Sequence, residues 1–242
     1  MTFSTRAIIL KRYKIGEADR LLLTFTEEVG KILIVAKAAR RAESKLAGHI
    51  EPYALTNLEI CPGKGEFYHL TGAQNPTNFL DVALNIAALR HLEILGEVID
   101  LTLGDAEANP KAFSKLVDGI TAVRQNPENS HLISIEYLVK ILESIGFKPE
   151  LQVCSICQNR VLDVKNGWSS VSGGVVCHNC CSLRVDIKEV KDNQTISLLR
   201  VMQSENNAAG RLKVDLKHIT EAHGLVVDYL LTHLSRPLKS LS

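Results

Sequence analysis

Residues 19–38, DRLLLTFTEEVGKILIVAKA, decide how the first third of the chain is read. Two β-prone runs, Asp19–Thr26 and Lys31–Ala38, flank a short break that ends in Gly30. Each is strand length and rich in branched and aromatic residues, and turn residues bound both. The pattern continues outward as AIILKR (Ala7–Arg12), YALTNLEI (Tyr53–Ile60) and EFYHLTG (Glu66–Gly72). The breaks hold Gly16, the stretch ARRAESKLAG (Ala39–Gly48) and Pro62-Gly63-Lys64-Gly65, a hairpin signal. Five short strands in so few residues predict a small closed barrel. An OB-type barrel is the commonest five-stranded solution, and an SH3-like barrel has much the same pattern.

Beyond Thr71 the period becomes helical. Phe79, Val82, Ile86, Leu89, Leu92, Leu95 and Ile99 predict a helix from Asn78 to Leu103, with Asn78 as N-cap and Asp81 three residues on. Asn109-Pro110 reads as the cap and first-turn proline of a second helix through Val123. A third runs from Ser130 through Ile145 and stops at Gly146, with Pro149 beyond. Helical spacing resumes over Thr195–Met202 and Leu212–Leu234. The predicted fold class is therefore α+β: an OB-type domain over residues 1–78, then a helical domain over 79–242. The tail Arg236–Ser240 is too short to fold alone.

Between the third helix and the later ones lie Cys154, Cys157, Cys177 and Cys180. Two Cys-x-x-Cys turns can each present two thiolates to one cation, and the intervening stretch lets the pairs meet in a tetrahedral Cys₄ shell, the arrangement zinc prefers. Gly167, Gly173 and Gly174 are expected to supply turns, and Val161–Val164 and Val175–Val176 short strands. Such a ribbon, inserted at about 151–187, has too few apolar residues to fold without a metal clip. A closed structural site does no chemistry; a redox-active Cys-x-x-Cys is the alternative. His178 and Cys181 adjoin the quartet, which is complete without them, and Cys61 is remote.

The composition, 45% hydrophobic and 23% charged in 242 residues, is that of an ordinary globular protein. No run approaches the roughly 18 apolar residues of a membrane span, and MTFSTRAIILKR lacks a signal-cleavage pattern, so a cytoplasmic protein is expected. The net charge of +1 hides an uneven distribution: residues 1–80 carry 11 Lys/Arg against 8 Asp/Glu, and residues 81–150 carry 6 against 11. The first segment suits a polyanion better than the second. No phosphate-binding Gly-rich loop, nucleophile elbow or His-Glu-x-x-His occurs, and the eight histidines form no interpretable pair. The reading is a protein that is not an enzyme.

The basic stretch is the informative polar feature. Lys31, Lys37, Arg40, Arg41 and Lys45 fall within fifteen residues against one acid, Glu43, and Lys11, Arg12, Lys14 and Arg20 come from neighbouring strands or turns. A loop this basic beside a barrel strand can follow a phosphate backbone and release its condensed counterions. Tyr13, Phe25, Tyr53, Phe67 and Tyr68 are candidate stacking platforms for unpaired bases.

Several linked motifs in this chain resemble the RecO family of bacterial DNA repair proteins. They are Ala7-Ile-Ile-Leu-Lys11, Gly16-Glu-Ala-Asp-Arg20, Phe25-Thr26, Gly30-Lys31, Ala36-Lys37-Ala-Ala-Arg40-Arg41, Ser44-Lys45-Leu-Ala-Gly48 and Glu51-Pro52, followed by the Cys quartet and Arg236-Pro-Leu-Lys-Ser240. One departure is Ala38, where the family usually has glycine. The resemblance implies an OB-fold, a helical domain with an inserted zinc finger, and a RecF-pathway recombination mediator. Such proteins bind single- and double-stranded DNA and anneal complementary strands. They act with RecR to load RecA on DNA coated by single-stranded DNA-binding protein, SSB, whose acidic C-terminal tail they contact through the helical domain. It further implies cytoplasmic action at the nucleoid in response to DNA damage. On this reading Lys11, Arg12, Arg20, Lys37, Arg40, Arg41 and Lys45 hold backbone phosphates, and one structural Zn²⁺ sits on the quartet. For Arg20 an ion pair with Glu17 or Asp19 is the rival role. Two other classes stay open: a zinc-ribbon scaffold whose basic loop is incidental, and a zinc-ribbon enzyme.

Overall fold

The computed structural model describes residues 1–74, 85–161, 165–182, 187–234, 238 and 240. The expected Asn78 cap, Phe79, Asp81, Val82, the boundary at 78/79, residues 162–164 and most of the 236–240 tail lie outside the described residues. The chain divides into two compact units, Met1–Pro127 and Glu128–Ser242.

In the first unit all five expected strands form: β1 (Phe3–Ile15), β2 (Asp19–Thr26), β3 (Gly30–Ala36), β4 (Leu55–Pro62) and β5 (Phe67–Gln74). They close into a barrel in the order β1-β2-β3-β5-β4, antiparallel except for the β3–β5 seam, which is the OB-type arrangement. β1 is long enough to pair with both β2 and β4, and its register shifts between Ile9 and Lys11. That bulge resets which side chains face inward. Before it, Ala7 and Ile9 join Leu22, Ile34, Ala36, Leu58 and Ile60 in the barrel core. After it, Arg12 stands opposite Leu22, and Lys14 opposite Arg20. Directly opposed residues share a face, so cations continue the inward row at one mouth.

The outer side of β1 and β2 is buried too. Two helices of the same unit, α1 (Ile86–Thr102) and α2 (Pro110–Gln125), lie on it. Asn85 and Asn109 cap them, accepting from the N–H groups of Ala88 and Ala112 at 3.0 Å, and Pro110 opens α2 as expected. Gly96 lets α1 approach closely, since a Cβ there would meet the Tyr53 ring at 2.7 Å. Phe113 of α2 meets Phe25 edge-on at 5.6 Å. Burying a ring of this size contributes about 2–3 kcal/mol. The loop between the helices presses on β3, where Ala106 N–H donates to the Lys31 carbonyl at 2.8 Å.

The second unit is built on α3 (Ser130–Ser144), whose residues from Leu132 to Leu142 are all buried. Gly146, at φ +88°, ends it, and Phe147 N–H returns to the Leu142 carbonyl at 2.8 Å. Two of its buried residues are charged: Glu136 and Lys140 pair one turn apart. Lys140 Nζ also donates to the Glu205 carbonyl at 2.7 Å, and Glu136 Oε2 accepts from Ala209 N–H at 2.7 Å, pinning the connection between the last two long helices.

A three-stranded sheet follows: β6 (Gly167–Ser169), β7 (Gly174–Val176) and β8 (Lys188–Glu189), with a helical turn, α4 (His178–Cys181). Val175–Val176 form a strand as expected, but Val161 lies outside the strands. Gly167 and Gly174 are strand residues rather than the expected turns, and position 167 needs glycine because a Cβ there would lie 2.4 Å from Ile187 and 2.7 Å from the Cys181 sulfur. The chain then forms α5 (Asn193–Ser204) and α6 (Leu216–His233). Trp168 of β6 is fully buried edge-on to Tyr229 of α6, and its Nε1 donates to Ser170 Oγ, which donates to Asp228 Oδ2 at 2.6 Å. No helix among the described residues is long and apolar enough to cross a membrane.

Candidate metal centre and basic face

Cys154 and Cys157 sit in a turn closed by Gln158 N–H on the Cys154 carbonyl at 2.9 Å, with Gln158 in the left-handed region at φ +61°. Cys177 and Cys180 sit in the matching turn that opens α4, closed by Cys180 N–H on the Cys177 carbonyl at 3.0 Å. The sheet brings the two turns together, and the four sulfurs all lie within 4.8 Å of one another. Cys157 and Cys177 are 3.7 Å apart, close to the about 3.8 Å edge of a tetrahedron with metal–sulfur bonds of about 2.3 Å.

The electrostatics suit a cation. Burial alone raises the Cys154 thiol, but backbone N–H groups of Cys157, Cys177 and Ile156 point at its sulfur and bring it down to about 6. Cys180 is pushed up to about 12 by burial and then by its cysteine neighbours. Crowded sulfurs resist sharing negative charge, and a bound dication removes that resistance. This donor set, soft and tetrahedral, could hold a metal ion of the zinc type. Cys181 and His178 stand outside the cluster: the Cys181 sulfur is turned to the Val176 carbonyl at 3.8 Å, and His178 is exposed. Cys61 lies on β4, half-buried opposite His69.

The basic stretch leaves the barrel after β3. Ala38 has φ +54° and its N–H donates to Asp19 Oδ1 at 2.7 Å. Ala39 is buried, and Arg40 N–H donates to the Ala18 carbonyl at 2.8 Å. The loop is thus anchored on the β1–β2 turn and presents Lys37, Arg40, Arg41 and Lys45 to solvent. Lys45 also borders a groove of about 650 Å³ with Arg6 and Glu28.

The other cations are placed differently. Lys11 pairs with Asp100 at 2.8 Å, and Arg12 with Glu51 at 2.6 Å. Arg20 forms no ion pair among the described residues, so neither expected partner, Glu17 or Asp19, takes it, and Asp19 is engaged with Ala38. Burial, then the nearby Arg12, lowers its pKa. Lys31 belongs to the basic stretch in sequence but not in space: its side chain is 10% exposed and its amine donates to the Asp100 carbonyl and meets Asp105. Of the aromatics, Tyr13 and Phe67 are exposed at 46% and 41%. Phe25 and Tyr53 are buried under the helices and cannot stack on a base, and Tyr68 is half-buried edge-on to Phe3.

Sequence reasoning passed over Asp19 as the loop's anchor and Glu51 as the partner of Arg12. The signal was local: each carboxylate lies in a short motif beside the cations it serves, Gly16–Arg20 and Glu51-Pro52.

The chain thus joins an OB-type barrel with an anchored basic loop to a second unit that holds a four-cysteine cluster. The chain matches Recombination protein O N terminal over residues 1–79 and Recombination protein O C terminal over residues 83–242. It belongs to the Recombination protein O family. It is similar to the DNA repair protein RecO of Dehalococcoides mccartyi, 31% identical over 221 residues, 90% of this chain and 85% of that one. It is likewise similar to the protein of that name from Caldanaerobacter subterraneus, 26% identical over 98% of this chain and 94% of that one. The RecO of a Nocardioides species is 28% identical over 100% of this chain and 98% of that one.

Proposed function

We propose that this protein is a noncatalytic recombination mediator that binds single- and double-stranded DNA through the basic face of its barrel and anneals complementary strands. The observation that carries the reading is the loop at Lys37, Arg40, Arg41 and Lys45, held out to solvent by Asp19 and Ala18 on a barrel of OB type. Cations fixed to a rigid scaffold can meet phosphates of two strands and reduce their repulsion. Lys11 and Arg12 are committed to Asp100 and Glu51 at rest, so the loop supplies the first contacts. Tyr13 and Phe67 are the aromatics placed to stack on an unpaired base.

In this reading residues 1–78 bear the DNA contacts, and 79–242, with the knuckle at about 151–187, meet the acidic tail of SSB. RecR is the partner with which RecA is loaded; membership of the family supports both partners. A zinc ion held by Cys154, Cys157, Cys177 and Cys180 keeps the ribbon folded and takes no part in a reaction. The protein works in the cytoplasm, at the nucleoid.

The test is annealing of two complementary labelled strands followed by energy transfer. The protein accelerates pairing, and a variant with Arg40→Glu and Arg41→Glu does so at least tenfold more slowly at equal thermal stability. Equal rates with and without protein would remove the reading.

A further inference from the structure

The inward row at the barrel mouth is lined by cations that lie close to one another. Past the β1 bulge, Arg12 and Lys14 share a face with Arg20 and Leu22, and Arg20 lies opposite Ala36 of the core. The guanidinium of Arg40 lies near enough to act on Arg20, and it donates from one nitrogen to the carbonyls of Gly16 and Glu17 at 3.4 and 3.0 Å. These two contacts use one of its nitrogens and neutralise no charge. Arg20 Nε is buried and, among the described residues, without a hydrogen-bond partner. Glu51 meets Arg12 and is the acid that acts on Arg20, while Asp19 accepts from the Ala38 N–H and pairs with none of these guanidinium groups among the described residues. Glu51 is the more exposed member of that pair, 45% against 20% for Arg12, so the carboxylate sits at the rim with the cation behind it.

We infer that Arg12, Arg20 and Arg40 form a phosphate subsite at the barrel mouth, in which Glu51 is a resting counter-ion displaced by an incoming phosphodiester. The inference rests on the DNA-binding reading and goes beyond it by dividing the basic face in two. Lys37, Arg41 and Lys45 of the outer loop attract a strand through exposed charge, while the mouth, to which the Arg40 guanidinium turns back, grips one phosphate. Guanidinium groups suit this task because each offers several donors in a fixed plane to an oxyanion. Arg20 already bears the cost of burial beside Arg12 and Arg40, which lowers its affinity for its proton, and Glu51 offsets that in part. A phosphate would offset it more fully. Glu51 keeps the mouth from repelling itself when DNA is absent and competes with DNA when it is present.

The competition gives variants opposite in sign. Labelled single-stranded DNA is titrated with the full-length protein at several salt concentrations. Arg20→Gln binds about tenfold more weakly with a salt slope smaller by about one. Glu51→Gln, of the same shape without the charge, binds about three- to tenfold more tightly, because Arg12 is released to the strand. In parallel, inorganic pyrophosphate raises the melting temperature of the wild type and not of Arg20→Gln. If the wild type binds DNA but both variants have its isotherm, or Glu51→Gln binds more weakly, the subsite is wrong and the DNA reading stands. If the wild type binds no DNA, the DNA reading is wrong: a pyrophosphate shift lost in Arg20→Gln then supports the mouth as a phosphate site, and no shift overturns it.

Discussion

The backbone N–H of Ala38 donates to the carboxylate of Asp19 at 2.7 Å, tying the exit of β3 to the start of β2. This bond fixes where the basic loop leaves the barrel and holds Ala38 at φ +54°, a conformation that disfavours a residue with a Cβ. Ala38→Gly should therefore stabilise the protein by about 0.5–1 kcal/mol, the relief of left-handed strain less glycine's greater freedom in the unfolded chain. Urea unfolding would read this, with DNA affinity unchanged. Asp19→Ala works the other way, costing about 1–2 kcal/mol because the amide loses a charged acceptor.

The cysteine cluster should fold its ribbon only around a metal. Cys154→Ser would lower zinc content and melting temperature together, the latter by about 6–12 °C for a loss of about 3 kcal/mol. Retention of the metal and of the melting temperature would show that the ligands are wrongly assigned.

Asp228 links the ribbon to α6 through Ser170 and Lys188. Its burial favours the neutral acid, but the Lys188 ammonium and the Ser170 hydroxyl outweigh this and hold the carboxyl below its ordinary 3.8. A depressed folded-state value gives stability that is present above pH 3.8 and lost as the pH falls through the folded value. Asp228→Asn should cost about 1 kcal/mol at pH 7, with the gap from wild type closing below about pH 4. Thermal melts of both proteins across pH measure it, and effects on the cysteines cancel in the difference.

The buried pair on α3 should be sensitive to removal of one member. Lys140→Met removes the cation paired with the buried Glu136 carboxyl, which also accepts from the Ala209 amide, and should cost about 3–5 kcal/mol in urea unfolding.

How much of this was legible depended on how local each determinant is. β2 runs from Asp19 to Thr26 as the sequence indicates, because the run is bounded by its own turn residues. The cysteine spacing likewise carried its geometry with it. Lys31 misled because its partners, Asp100 and Asp105, lie about 70 residues away on a helix end and loop that fold back over β3. Phe25 and Tyr53 misled for a related reason: their faces would be wet in an isolated barrel, and α1 and α2 cover them. The bulge between Ile9 and Lys11 is decisive for Arg12 and Arg20, yet an alternating pattern gives no sign of a one-residue slip.

The central claim is that the barrel meets DNA through fixed positive charge, and fluorescence anisotropy of labelled single-stranded DNA across a salt series tests it most directly. The expected result is binding that weakens steeply as salt rises, with a slope reduced by about two in the Arg40→Glu, Arg41→Glu variant. Isotherms that do not change with salt, or that are the same in that variant, would contradict it.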